Sequence, residues 1–273
     1  MRLFKYAGPL GTGILESCRI KVTRPVDLND PFEFSPAPGP PATTKFVRSC
    51  LQNLNWRSQF LQACKGSSYE RPDFRIFDHL SGEQFAIAVH KMTESLNATA
   101  KSLILKHPEQ ISEDFGLLCF SKTHSSVEMW THYGDNHRGI VVEFDSSKLA
   151  NLRLWDVNYA KHRISIPLDD IWKFDDRKSF AEEVLTHKSD AWAYEQEVRS
   201  LVWIHDLEAV EIRGRAEPVI PFPCSAVTRV FLGYRCPEST EARVRTAISQ
   251  GGLTHVALQK ATLDESDYLL RFH

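Results

Sequence analysis

The chain has 273 residues, 42% apolar and 25% charged, a balance that fits a globular protein and excludes wholesale disorder. Its 33 basic side chains stand against 35 acidic ones, so the net charge indicates no general attraction to nucleic acid or anionic lipid. No stretch approaches the roughly 20 apolar residues of a membrane span, and Gly8-Pro9 interrupts the N-terminus before a signal-length apolar run can form, so a soluble cytoplasmic protein is expected.

In chain order, Leu3 to Tyr6 reads as a short strand, followed by a Gly/Pro turn and a short helix ending near Ser17. Arg19 to Thr23 alternates as an edge strand does, and Asn29-Asp30-Pro31-Phe32 is turn chemistry, because Pro31 biases Asp30 away from helix. Residues 35 to 41 are Pro/Gly-rich and predict a flexible exposed loop. Val47, Cys50, Leu51 and Leu54 share a helical face, and Phe60, Leu61 and Cys64 continue or restart it. Ser81 with Gln84 forms a capping box for a helix reaching about Lys106. Phe115 to Phe120 predicts a buried strand, Ser125 with Glu128 a second capping box over a short helix, and Gly139 to Phe144 a further buried strand. Trp155 to Tyr159 predicts a strand, Asp175 to His187 a helix and Glu197 to Trp203 a strand. Short strands follow at 210–212, 226–232, 256–258 and 268–272, with a helix from Glu238 that Gly251-Gly252 stops. The pattern predicts one α+β domain over residues 1–273, a central mixed or split antiparallel sheet flanked by helices.

The densest chemistry lies between Cys119 and Phe144, where three histidines, an arginine, two carboxylates and two aromatics sit between two apolar runs. On the short helix Glu128 and His132 are four apart and share a face, and Trp130 and Tyr133 are spaced to stack a planar ring. His137 and Arg138 sit in a turn where they could meet an anion. Glu195, Glu197 and Arg199 are spaced by two, which on a strand puts all three on one face, and Glu and Arg are rarely buried unless paired. Lys5, Tyr6 and the Asn29-Asp30 turn form a third candidate region. Cys18, Cys50, Cys64, Cys119, Cys224 and Cys236 are scattered with no C-x-x-C pair, and most are expected to be buried small hydrophobes in a reducing compartment. The G-x-S-x-G, H-E-x-x-H and phosphate-loop patterns are all missing, and no metal site is expected.

Phe4-Lys5-Tyr6, Asn29-Asp30-Pro31-Phe32, Leu118-Cys119-Phe120-Ser121, Met129-Trp130-Thr131-His132-Tyr133 with His137-Arg138-Gly139, and Trp192 with Tyr194 to Arg199 occur in that order. This set resembles the bacterial and phage-associated domain-of-unknown-function family 2971 over roughly residues 3 to 260, a family without an assigned activity. A more remote resemblance is to ADP-ribosyltransferase-like folds, with Lys5 or Tyr6 in the first motif position, His132 and Tyr133 in the middle and Glu197 as the late catalytic carboxylate. Glu195 competes for that last place. The second resemblance implies cleavage of the nicotinamide glycosidic bond of NAD. It assigns Glu197, His132 and Tyr6 to catalysis, and Trp130, Tyr133, Arg138, Arg199 and Lys5 to the nucleotide. A non-enzymatic sensor or protein-interaction domain in stress or antiphage defence, and a nuclease, are the competing expectations.

Overall fold

The computed structural model describes residues 1–63, 73–172, 184–212 and 214–273. Cys64 and positions 175–183 of the helix expected from Asp175 lie outside them. The fold is α+β, as the sequence implied, and its residues gather into two compact units, 1–30 with 109–161 and 186–273, and 31–108 with 162–185.

The first unit is built on an eight-stranded sheet. Its strands are β1 (Arg2–Ala7), β4 (Phe115–Ser121), β5 (Ile140–Asp145), β6 (Trp155–Asp156), β10 (Glu197–Trp203), β13 (Val227–Leu232), β14 (Ala257–Leu263) and β15 (Leu270–Phe272). They lie in the order β15-β14-β13-β5-β1-β4-β10-β6, and the sheet is mixed rather than split, with β13 and β14 parallel and the other neighbours antiparallel. The numbers between belong to smaller pairings. In this unit, β2 (Arg19–Lys21), β11 (Glu208–Ile212) and β12 (Arg215–Pro221) make a three-stranded sheet, and β7 (Asn158–Ala160) pairs with β9 (His187–Ser189). In the second unit, β3 (Ala37–Pro38) pairs with β8 (Ser165–Ile166).

Antiparallel register places directly opposed residues on one face of a sheet. Leu3, Leu118, Phe120, Val142, Phe144, Val198, Val230 and Leu232 thereby form the apolar core on one side, joined by Val244 and Ala247 of the helix Glu238–Ser249. The other side carries Phe4, Tyr6, Val141 and Phe231, which pack with Met129, Trp130 and Leu270, and farther along the strands it carries Ser121, Glu197, Cys119 and Arg199. That second side holds the polar chemistry.

The helix Val127–His132 is capped by Ser126, whose Oγ accepts from Met129 N at 3.1 Å, one residue later than the expected Ser125. Ser125 instead turns back, its N–H donating to Thr123 Oγ1 at 3.3 Å. The Ser81/Gln84 capping box forms in both directions, at 3.0 and 3.4 Å, and its helix runs from Gly82 to Asp114, past the expected end. His187 opens β9 instead of closing a helix.

In the second unit, the helices Thr44–Gln52 and Leu54–Ala63 break at Asn53, whose side chain accepts from Trp56 N at 3.1 Å. Trp56, Phe60, Phe74 and Trp172 pack ring on ring, and Trp56 Nε1 donates to the Trp172 carbonyl at 2.9 Å. Within residues 35–41, β3 is paired and Arg163 donates to the Ser35 and Pro36 carbonyls.

Cys18 and Cys224 are joined by a disulfide across 206 positions, a pairing that scattered cysteines could not announce. No helix among the described residues is long and apolar enough to cross a membrane.

Two histidines of the first unit are held neutral. Burial, with Arg229 reinforcing it, pulls His124 below the ordinary imidazole value of 6.5, and burial with Arg235 does the same to His137. The unfolded chain therefore binds protons that the folded state refuses, and stability falls as the pH drops below that value. The slope of melting temperature against pH between about 7 and 5 should be shallower in His124→Phe than in wild type. Equal slopes would remove His124 from this account.

Candidate functional site

Glu197 and Arg199 sit on β10 with their side chains on the same face, as spacing by two requires. Glu195 does not extend that strand. It ends a 3-10 turn, Asp190–Glu195, and Gln196 follows with φ of 45°, in the left-handed region, which swings the chain and returns Glu195 to the same cluster. Lys188, on β9, enters from the adjoining strand pair.

The cluster is a buried ionic network. Arg199, fully buried at 0% exposure, grips Glu197 with both arms of its guanidinium, Nε to Oε1 at 2.9 Å and a terminal nitrogen to Oε2 at 2.8 Å. Lys188 Nζ bridges the two carboxylates, 2.5 Å from Glu195 Oε2 and 3.2 Å from Glu197 Oε2. Tyr133 donates its hydroxyl to Glu195 Oε1 at 2.5 Å and accepts from Asn29 Nδ2 at 2.8 Å. Tyr159 accepts from the Glu197 backbone N–H at 2.7 Å, and Ser121 Oγ donates to the Glu195 carbonyl at 2.6 Å.

These environments drive the two carboxylates apart. Burial opposes ionisation of Glu197, but Arg199 and then Lys188 overcome it and hold the group well below the usual carboxylate range. At Glu195 burial wins over Lys188 and the Tyr133 hydrogen bond, so its proton is held more tightly than usual. Burial, aided by the Glu195 charge, raises Tyr133, which keeps that hydroxyl a donor. A neighbouring pair with opposite shifts is the arrangement in which one carboxylate stays charged while the other exchanges a proton.

The half-buried rings of Trp192 and Tyr194 and the exposed His132 lie beside the cluster. His132 is 6.4 Å from Trp192 and 6.2 Å from Tyr194 between ring centroids, and Lys188 Nζ lies 5.0 Å from the Trp192 centroid. Neither Trp192 nor Tyr194 was among the residues expected to bind a ligand. Their position on the turn leading into the Glu195-Gln196-Glu197 run was the available signal.

The remaining expected residues are dispersed. Trp130 is fully buried, edge-on to Tyr6 at 5.5 Å, with Nε1 donating to the His124 carbonyl at 2.7 Å. Tyr6 is buried and its hydroxyl donates to the Thr123 carbonyl at 3.1 Å. Lys5 donates to the Cys119 carbonyl at 3.0 Å, next to the network, and Arg138 is exposed in the turn after the short helix. The structure thus joins Glu197, Arg199 and Tyr133 in one network and brings His132 to its aromatic edge, whereas Tyr6 and Trp130 belong to the aromatic core. Among the described residues, no group of three His, Cys, Asp or Glu side chains could hold a metal ion.

Tyr133→Phe removes the one hydroxyl shared by Asn29 and Glu195. It should lower unfolding free energy by about 1–3 kcal/mol in urea titration. An unchanged midpoint would show that the bond contributes nothing.

These features define an α+β protein with a buried two-carboxylate, two-cation site at one end of a mixed sheet. Residues 129–200 match the family model described as protein of unknown function, DUF2971. The match bears out the family resemblance on a shorter stretch than the motifs suggested, and that stretch contains Tyr133, Lys188, Glu195, Glu197 and Arg199. No curated protein and no solved structure matches the chain.

Proposed function

We propose that the first unit carries an enzyme site that cleaves the N-glycosidic bond of a nicotinamide nucleotide such as NAD, with Glu195 as the working carboxylate. The observation that carries this reading is the pair of carboxylates, Glu195 and Glu197, bridged by Lys188 and shifted in opposite directions, beside the half-buried rings of Trp192 and Tyr194. Glu197 has both oxygens committed to Arg199, so its part is to stay charged and fix Lys188. Glu195 is closed on one side by a neutral phenol, the cover that a substrate hydroxyl can replace with least loss.

In this reading the C1′–N bond breaks with its electron pair passing to nicotinamide. The cationic ribose then faces the ionised form of the Glu195 carboxylate, paired with Lys188. Water or an acceptor hydroxyl adds at C1′ and passes its proton to Glu195. Trp192, Tyr194 and His132 offer a planar ring a stacking surface. No metal enters the scheme.

A second reading is favoured by the complete pairing of the network. A fully satisfied buried cluster can serve to specify a fold, and Trp192, Tyr194 and His132 would then meet a protein partner in a sensor or interaction role. Incubation of the purified protein with NAD, followed by chromatography for free nicotinamide, separates the two. Nicotinamide release above the protein-free control supports the enzyme, and its absence with NAD and an acceptor mixture supports the binding module.

A further inference from the structure

We infer that the Cys18–Cys224 disulfide is a site of thiol exchange with small-molecule thiols, served by its own pocket away from the Glu195 network. The bond forms part of the wall of a pocket of about 620 Å³ that is also lined by Leu15, Arg243, Thr246 and Gly252. Exposed disulfides are the more labile ones, and neither of these cysteines is fully buried. Gly252 leaves the approach to Cys224 open, since a Cβ there would stand 3.1 Å from the Cys224 Cβ and 3.6 Å from its Sγ. The rim carries an ion pair, Arg243 with Glu16, its guanidinium donating to the two carboxylate oxygens at 3.0 and 2.9 Å. Paired charges of both signs beside an apolar floor suit a small zwitterionic thiol of the cysteine or glutathione kind.

The exchange is balanced by the thiol itself. An incoming thiolate attacks the Cys224 sulfur, the sulfur–sulfur bond breaks, and Cys18 leaves as a thiolate that takes a proton. A second thiolate then attacks the incoming sulfur of the mixed disulfide, so two small thiols become one small disulfide and the protein gains two thiols. Cys119 and Cys236 do not compete well, because burial raises both thiols and keeps them protonated.

The test is peptide mapping of protein purified without reductant, before and during exposure to reduced glutathione. The expected result is a linked Cys18–Cys224 peptide that converts through a glutathione adduct on Cys224. Gly252→Val, which crowds that sulfur, and Thr246→Trp, which fills the pocket without touching the backbone, should each slow conversion by at least about fivefold. Either variant suffices provided its oxidised form melts like wild type. Absence of the linked peptide in oxidised protein would overturn the inference, as would conversion at the wild-type rate in both variants.

Discussion

Arg199→Ala should be the most destabilising single change at the site, lowering unfolding free energy by about 3–5 kcal/mol near neutral pH. The side chain is fully buried, and its loss leaves Lys188, at 3.2 Å and already engaged by Glu195, as the cation facing Glu197 among the described residues. The pH dependence gives the result its signature. A carboxylate whose folded value is depressed contributes stability above its unfolded value of 4.5 and loses it as the pH falls through the folded one. Wild type therefore loses the Glu197 contribution on acidification, whereas the variant has already lost it, so the gap between them should narrow as the pH falls through the carboxylate range. Denaturant titrations of both proteins at about pH 7 and about pH 3, the second lying between the unfolded value and the folded value of about 2, measure that gap. A gap of constant width would mean that Arg199 acts through packing alone.

Much of this arrangement was legible from local signals. The spacing by two of Glu197 and Arg199 correctly put both on one face of a strand, and the rarity of buried unpaired charge correctly implied a partner. The partner that ties the network together was not legible. Lys188 is seven residues from Glu195 and has no motif around it, and it arrives through the pairing of two three-residue strands too short to stand out. The strand is legible from Glu197 onward, and period-two spacing would carry Glu195 onto the same face only if the strand reached back to it, but Gln196 adopts a left-handed backbone that no spacing rule detects. The Trp130 spacing fits a helix in either role. Its neighbours Tyr6, Phe231 and Phe272 come from distant strands and bury it in the aromatic core. The two-unit division and the Cys18–Cys224 bond are likewise products of long-range contacts.

Glu195→Gln carries the second large effect. The substitution keeps the shape and a hydrogen-bonding group beside Tyr133 while removing the charge, so the fold should persist. Nicotinamide release should fall by about 10²–10⁴-fold through the loss of charge stabilisation and proton acceptance. In wild type the rate should rise with pH through the elevated Glu195 value, because only the ionised form faces the ribose and accepts the proton. That rising limb should vanish in the variant. Glu197→Gln should behave differently, losing stability and activity together, because it releases Arg199 and half of the hold on Lys188.

The most direct measurement is the initial rate of nicotinamide release from NAD by wild type and Glu195→Gln, run side by side at matched concentration and with matched melting temperatures. The account predicts turnover in wild type and a loss of at least about 100-fold in the variant. Equal rates in the two proteins, or none from wild type, would contradict it.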